Sequence, residues 1–261
     1  MKKSKSSEGH QDFKDNWSEH WLSYAKSASD NPAQEMRHHL ILKKLKMMKK
    51  PKLLLDIGSG QGDFLHAAVS DKVAVKYVGF ELSDTGVNIA RSKVKGAEFM
   101  QVNLFSPPEN LINFVEQGDV AVCTEVIEHV DEPAEFCRLI KKYMKPGGRL
   151  FLTVPGGPMS EFDRYIGHRR HYNQKSVSKL LTSAGFEVDN VYLVGFPFFN
   201  IYRMMVILRG RNLISDVESS VKNSFSQIFA SLVMRIFKIL FKLNLRHSKF
   251  GWQVFAVAHK P

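Results

Sequence analysis

Leu53-Leu54-Leu55-Asp56-Ile57-Gly58-Ser59-Gly60-Gln61-Gly62-Asp63 is the stretch on which the reading of this chain turns. A short apolar run reads as a buried strand, and three alternating glycines at its end open a helical pattern. Glycine lets a backbone turn sharply and approach a nucleotide-like ligand with no Cβ in the way. A glycine-rich turn alone is a weak signal, so its spacing matters. The dinucleotide fingerprint Gly-x-Gly-x-x-Gly requires glycine at position 63, where this chain has Asp63, and here an acid, Asp56, precedes the first glycine. That favours a cofactor bearing an amino-acid group over a pyrophosphate. Asp56 is placed to orient an ammonium, directly or through water. Glu81, nineteen residues beyond Gly62, stands at the interval expected of an acid that takes both ribose hydroxyls.

Outward from this turn the chain alternates apolar runs with helical patterns, as βαβ units around a parallel sheet do. The runs predict strands at Lys52 to Ile57, Val75 to Glu81, Ala97 to Val102, Asp119 to Thr124, Arg149 to Val154, Phe186 to Val194 and Trp252 to Ala258. Pro146-Gly147-Gly148 reads as the break after one helix, and Gly185 as the cap of another. The expected organisation is a basic, disordered start over 1–10, N-terminal helices over 11–50 and a Rossmann-like core over 51–198. A helical basic insertion over 199–250 precedes the last strand, over 251–261, which runs antiparallel in a doubly wound α/β sheet of seven strands.

Phe13, Trp17, Trp21 and Tyr24 fall on one face of a helical pattern, a stripe that reads as core packing before it reads as a substrate lid. A second helix is expected after Asp30-Asn31-Pro32. With 261 residues, 44% of them hydrophobic and 24% charged, the chain has the make-up of a folded protein with one large domain. The two cysteines, Cys123 and Cys137, lie in a predicted strand and helix, so no disulfide framework is suggested and a reducing cytoplasm fits. Polar sequence follows the basic start, where a secretory leader would be apolar.

The residues beyond the glycine turn resemble the class I S-adenosylmethionine (SAM)-dependent methyltransferase family. Asp56 to Gly62 is similar to its first motif and Glu81 to its ribose acid. Gln101-Val102-Asn103-Leu104 resembles the adenine segment, with Asn103 where aspartate is common. Asp119 to Val130, through Thr124-Glu125-Val126-Ile127-Glu128-His129, resembles the fourth-strand motif, and Leu150 to Pro155 the fifth strand. The resemblance covers about Leu40 to Val194. It implies SAM as cofactor, contacted by Asp56, Gly58, Gly60, Gly62, Glu81, Leu82, Asn103, Leu104, Thr124 and Glu125, and it assigns no metal.

Past the fifth strand, Asp163-x-x-x-Gly167-His168-x-Arg170-x-Tyr172 resembles a subset of these enzymes acting on glycans, secondary metabolites and quinones. Ligands of open α/β sheets bind where strands end, so this segment is the acceptor candidate. His168 or His129 would take a proton from an acceptor hydroxyl, and Arg169 or Arg170 would hold a phosphate or carboxylate, with Asp163 and Tyr172 completing the site. The bland alternative is that the arginines pair with Asp163 or Glu161 and that Tyr172 is a core anchor.

The formal net charge is +11, and Ile201 to Pro261 holds ten Lys or Arg against Asp216 and Glu218. In that tail Phe225, Ile228, Phe229, Leu232, Ile236, Ile239, Leu240 and Leu243 follow helical spacing, with Arg235, Lys238 and Lys242 on another stripe. The longest uncharged run is twelve residues, short of the ~20 that cross a bilayer. The helix is either a lid over the acceptor or an interfacial helix on anionic lipid, and a lipid-linked, anionic acceptor reconciles the two. A nucleic-acid methyltransferase is the rival suggested by charge, but Cys123-Thr124-Glu125-Val126 lacks the Asn/Asp-Pro-Pro-aromatic motif and the Pro-Cys nucleophile. A non-catalytic SAM-binding protein is the remaining alternative.

Overall fold

The computed structural model describes residues 16–19, 21, 31–218, 224–245 and 248–261. The Lys/Ser-rich start, Phe13 and Tyr24 lie outside them. Helix α1 (Pro32–Lys46) begins with a proline in its first turn and is capped by Asn31, whose side chain accepts the Ala33 N–H. There follow β1 (Leu53–Ile57), α2 (Asp63–Ser70), β2 (Lys76–Glu81), α3 (Asp84–Lys93), β3 (Glu98–Gln101) and β4 (Gly118–Thr124). Then come α4 (Pro133–Tyr143), β5 (Met144–Pro155), α5 (Glu161–Tyr165), α6 (Gln174–Ser183), β6 (Glu187–Val194), α7 (Phe198–Glu218), α8 (Ser224–Leu240) and β7 (Gln253–His259).

The strands form one sheet in the order β3-β2-β1-β4-β5-β7-β6, parallel except for β7, which runs antiparallel to both its neighbours. This is the expected Rossmann-like, doubly wound sheet. Both faces are covered, which is why β1 is buried throughout and, Asp56 apart, apolar instead of alternating. Leu55 and Ile57 pack with Val78, Ala121 and Ile140 on one face. Leu54 packs with Leu65, Val120 and Phe151 on the other. The chain leaves β1 toward β2 and β3 and later returns to β1's other side as β4, so the crevice outside the ends of β1 and β4 is a topological switch point.

One expectation changes. Pro146-Gly147-Gly148 does not separate helix from strand: α4 already stops at Tyr143, and pairing begins at once with Gly118 opposite Met144. The glycines take up a register shift inside β5, where Gly147 adopts φ 73° and donates its N–H to the Lys260 carbonyl. Of the stripe that the spacing picks out in α8 and the turn after it, Leu240 packs against Phe237, Phe241, Phe199 and Ala33, whereas Leu232, Ile236, Ile239 and Leu243 are exposed; the side chains of Phe225, Ile228 and Phe229 lie outside the described ones. The helix is apolar around most of its circumference, and period alone does not say which side faces inward.

Candidate active site

A cavity of about 680 Å³ opens at the ends of β1 and β4. Its lining includes two buried acids, Asp56 and Glu81. Asp56, the fourth residue of β1, is 1% exposed, and neither carboxylate oxygen has a hydrogen-bond partner among the described residues. Burial, reinforced by the nearby Glu81 and Asp63 charges, raises its pKa to about 8. Glu81 ends β2 with Oε2 accepting the Gly60 N–H at 2.8 Å and Oε1 the Ser83 N–H at 2.9 Å. Its pKa is raised by burial in spite of those hydrogen bonds. A buried acid without a partner beside a second acid suits a cationic, hydroxyl-bearing ligand such as SAM, whose ammonium and ribose supply what the carboxylates lack.

Gly60, at φ 52°, lies directly under the Trp21 ring: a Cβ there would stand 2.5 Å from it. Gly62, at φ 79°, starts α2 but does not line the cavity, because its Cβ side faces Phe99, Ala90 and Val94. Gly58, Leu82, Asn103, Leu104, Thr124 and Glu125 all line it. The Asn103 side-chain oxygen already accepts the Phe105 N–H at 3.0 Å. Glu125 adopts φ 54°, a costly conformation for a non-glycine residue. Thr153 and Gln253 donate to its Oε1 at 3.0 and 2.9 Å, and Arg37 pairs with its Oε2 at 3.5 Å.

Two histidines also line the cavity. His129 and His168 meet edge to face with ring centroids 4.7 Å apart, and Trp17 meets His129 in the same way at 4.8 Å. Trp17 and Trp21 therefore line the cavity instead of packing in a core, a correction to the reading of their stripe. The same helical spacing serves either role, and only the cavity beneath distinguishes them. Burial and the neighbouring His129 push the His168 pKa well below its usual value. Glu128 is fully buried with both oxygens lacking a partner among the described residues, and burial raises its pKa well above the carboxylate range. Glu128, His129 and His168 bring ligand-type atoms within 4.8 Å of one another, as do Asp163, His168 and His171, so either group could hold a divalent cation.

The remaining acceptor candidates divide. Asp163 lines the cavity, 1% exposed, but is already engaged: Ser160 N–H and Oγ donate to it at 2.7 Å, and Arg203 grips both oxygens. Burial pushes its pKa up, but the Arg203 and Ser160 contacts outweigh it and hold it at about 2. Arg169 lines the cavity and pairs with Asp131 at 2.7 Å. Arg170 and Tyr172 do not line it. Arg170 donates to the Asp131 carbonyl at 3.1 Å, and the buried Tyr172 hydroxyl donates to the Ile127 carbonyl at 3.2 Å, the anchor role. Arg37, Arg203, Tyr202 and Gln253 are site residues that the sequence reading missed. They come from α1, α7 and β7 and belong to no local motif.

A family model described as a methyltransferase domain matches residues 33–191. The ubiquinone biosynthesis O-methyltransferase of Aeromonas salmonicida (strain A449) is 30% identical over 129 residues, 49% of this chain and 53% of that protein. The chain thus spans about half the length of the curated relatives it matches. Among solved structures, the [4+2]-cyclase SpnF aligns with TM-score 0.57 at 19% identity, covering 85% of this chain and 79% of that one. Phosphoethanolamine N-methyltransferase 2 of Haemonchus contortus, in complex with SAM, aligns with TM-score 0.54 at 21% identity, over 86% and 52%. At such identities the structural likeness bears on the fold alone, as the cyclase illustrates. The family match covers well over half of the residues, and the sheet has the expected order: this chain belongs to the methyltransferase-domain family, in its class I SAM-dependent form.

Proposed function

We propose that this chain binds SAM and transfers its methyl group to a hydroxyl oxygen of a small or lipid-linked acceptor. The observation that carries this reading is that a single cavity is lined by both the Asp56–Glu81 acids and the His129–His168 pair. Bound SAM supplies a methyl group activated by its sulfonium. Asp56 orients the ammonium and Glu81 takes the ribose hydroxyls, while Leu82, Asn103 and Leu104 flank the adenine. Trp17, Trp21, Phe199 and Tyr202 keep water from the cavity, so the chain's contribution is largely positioning in a dry site. His168 takes the acceptor's proton, with His129 as the alternative. Arg169 is the cation placed to meet an acceptor's anionic group. The Aeromonas relative is named for O-methylation in ubiquinone biosynthesis, which supports an oxygen as the atom that takes the methyl group.

Turnover of methyl-labelled SAM with hydroxylated aromatic acceptors, with and without isoprenoid tails, tests this. His168→Ala should lower kcat by about 100-fold and leave SAM affinity unchanged. Equal turnover in that variant would transfer the role to His129 or remove it.

A second reading concerns where the acceptor is met. On α7, Phe199, Tyr202, Arg203 and Val206 line the cavity. Ile201, Met204, Met205 and Leu208, at matching spacing on the opposite face, are 40 to 78% exposed. The exposed apolar stripe of α8 is flanked by exposed Arg235 and Lys242. No helix among the described residues is long and apolar enough to cross a membrane. An apolar ridge with basic flanks next to the cavity wall favours an anionic membrane surface as the place where a lipid-linked acceptor is presented.

A further inference from the structure

The histidine facing the cavity is held from behind by a second one. His171 does not line the cavity. Its Nδ1 stands 3.1 Å from the Gly157 carbonyl oxygen, and its Nε2 stands 3.2 Å from His168 Nδ1. A carbonyl can only accept, so the Gly157 contact requires the hydrogen on His171 Nδ1. In a neutral ring this leaves a lone pair on His171 Nε2. Only a hydrogen on His168 Nδ1 satisfies that lone pair, and a neutral His168 so protonated carries its own lone pair on Nε2, the opposite edge of the ring.

The premise of two neutral rings rests on their surroundings. Around His168 stand Glu128, His129, Asp163, His171 and Arg203, and burial with the neighbouring histidine lowers its pKa. Around His171 stand Asp163, Arg203 and Glu125, and burial lowers its pKa against the pull of the Gly157 carbonyl and Asp163. Asp163 lies 3.9 Å from His168 Nδ1 and 3.8 Å from His171 Nε2, but its charge is met by Arg203 at 2.7 Å.

We infer that His171 is a positioning residue: relayed from the Gly157 carbonyl, its hydrogen bond sets the tautomer of His168 so that unprotonated Nε2 is offered to the acceptor. This rests on the reading of His168 as the base. In the step so prepared, the acceptor O–H proton passes to His168 Nε2. The oxygen's electron pair forms the O–CH3 bond as the S–CH3 bond breaks with its pair left on sulfur.

The test is a long-range 1H–15N spectrum of the full chain carrying nitrogen-15 histidine, with His168 assigned by comparison with His168→Gln. At neutral pH the expected signature is a protonated Nδ1 and an unprotonated Nε2 at His168. His171→Ala should average the two tautomers and lower kcat about tenfold or more without changing the KM for SAM. His171→Gln, whose side-chain carbonyl can accept from His168 Nδ1, should restore the signature and bring kcat back to within about threefold. A wild-type His168 with its hydrogen on Nε2 would overturn the inference even if the alanine variant does not fold, and so would an unchanged His168 tautomer in His171→Ala. Full turnover in His168→Ala would instead overturn the base reading, because the tautomer is read with no acceptor present.

Discussion

Arg203 of α7 holds Asp163 of α5 with both arms of its guanidinium, Nη1 to Oδ1 at 3.1 Å and Nη2 to Oδ2 at 2.7 Å. The Asp163 carbonyl in turn accepts the His168 N–H at 2.9 Å. The late insertion is thereby tied to the loop that carries the candidate base. Fork-to-carboxylate geometry fixes direction as well as distance, which a lysine in the same place would not do.

Arg203→Ala should therefore destabilise the protein by roughly 3 kcal/mol, because a buried carboxylate is left without its partner. Asp163's pKa is depressed from 3.8 to about 2, so its stabilisation is present above the unfolded value and is lost as pH falls through that interval. Urea denaturation of both proteins at neutral and acid pH checks this. A variant as stable as wild type at neutral pH would mean that the pair does not bind the insertion to the core.

Asp56 behaves in the opposite sense. Its folded pKa of about 8 lies above the ordinary aspartate value of 3.8, so between those limits the folded, ligand-free protein holds a proton that the unfolded chain releases, and stability declines as pH rises. Asp56→Asn should remove this decline, raise Tm near pH 8 and weaken SAM binding. Binding of the cationic cofactor should release close to one proton in the wild type. Calorimetry in buffers of different ionisation enthalpy measures that proton, and a value near zero would refute the assignment of Asp56 to the ammonium.

Glu81→Ala should weaken SAM binding about tenfold or more, through loss of charge-assisted hydrogen bonds to the ribose. It also leaves the Gly60 and Ser83 N–H groups without their acceptor, so folding is checked by circular dichroism alongside. Unchanged affinity in a folded variant would remove the ribose role.

The outer faces of α7 and α8 give a fourth test. Arg235→Gln with Lys242→Gln should reduce sedimentation with anionic vesicles, at about 1 kcal/mol per charge and less at high salt. Ile236→Ser with Ile239→Ser should reduce it at all salt concentrations. Lys238, which spacing groups with the other two bases, pairs with Glu35 at 3.1 Å and is left unchanged. Wild-type protein that ignores such vesicles at low salt would leave this region as a packed lid alone.

Local pattern was enough to mark the strand–turn–helix at Leu53 to Asp63, the positions of the acids Asp56 and Glu81, and the seven strands. Each of these follows from strand-length apolar runs, glycine spacing and residues near one another in the chain, whereas the antiparallel direction of the last strand belongs to the fold as a whole. Tertiary structure alone decided the rest. Gln253 reaches Glu125 across 128 positions and Arg203 reaches Asp163 across 40, so no motif holds either pair. Trp17 and Trp21 face a cavity rather than a core, Phe237 and Phe241 rather than Leu232 and Ile236 turn inward, and Tyr172 anchors Ile127. The physical reason is common to all of them: periodicity shows that a helix has an apolar face, but which atoms meet that face, and whether a polar group finds its partner there, depends on segments brought together only when the sheet closes its core.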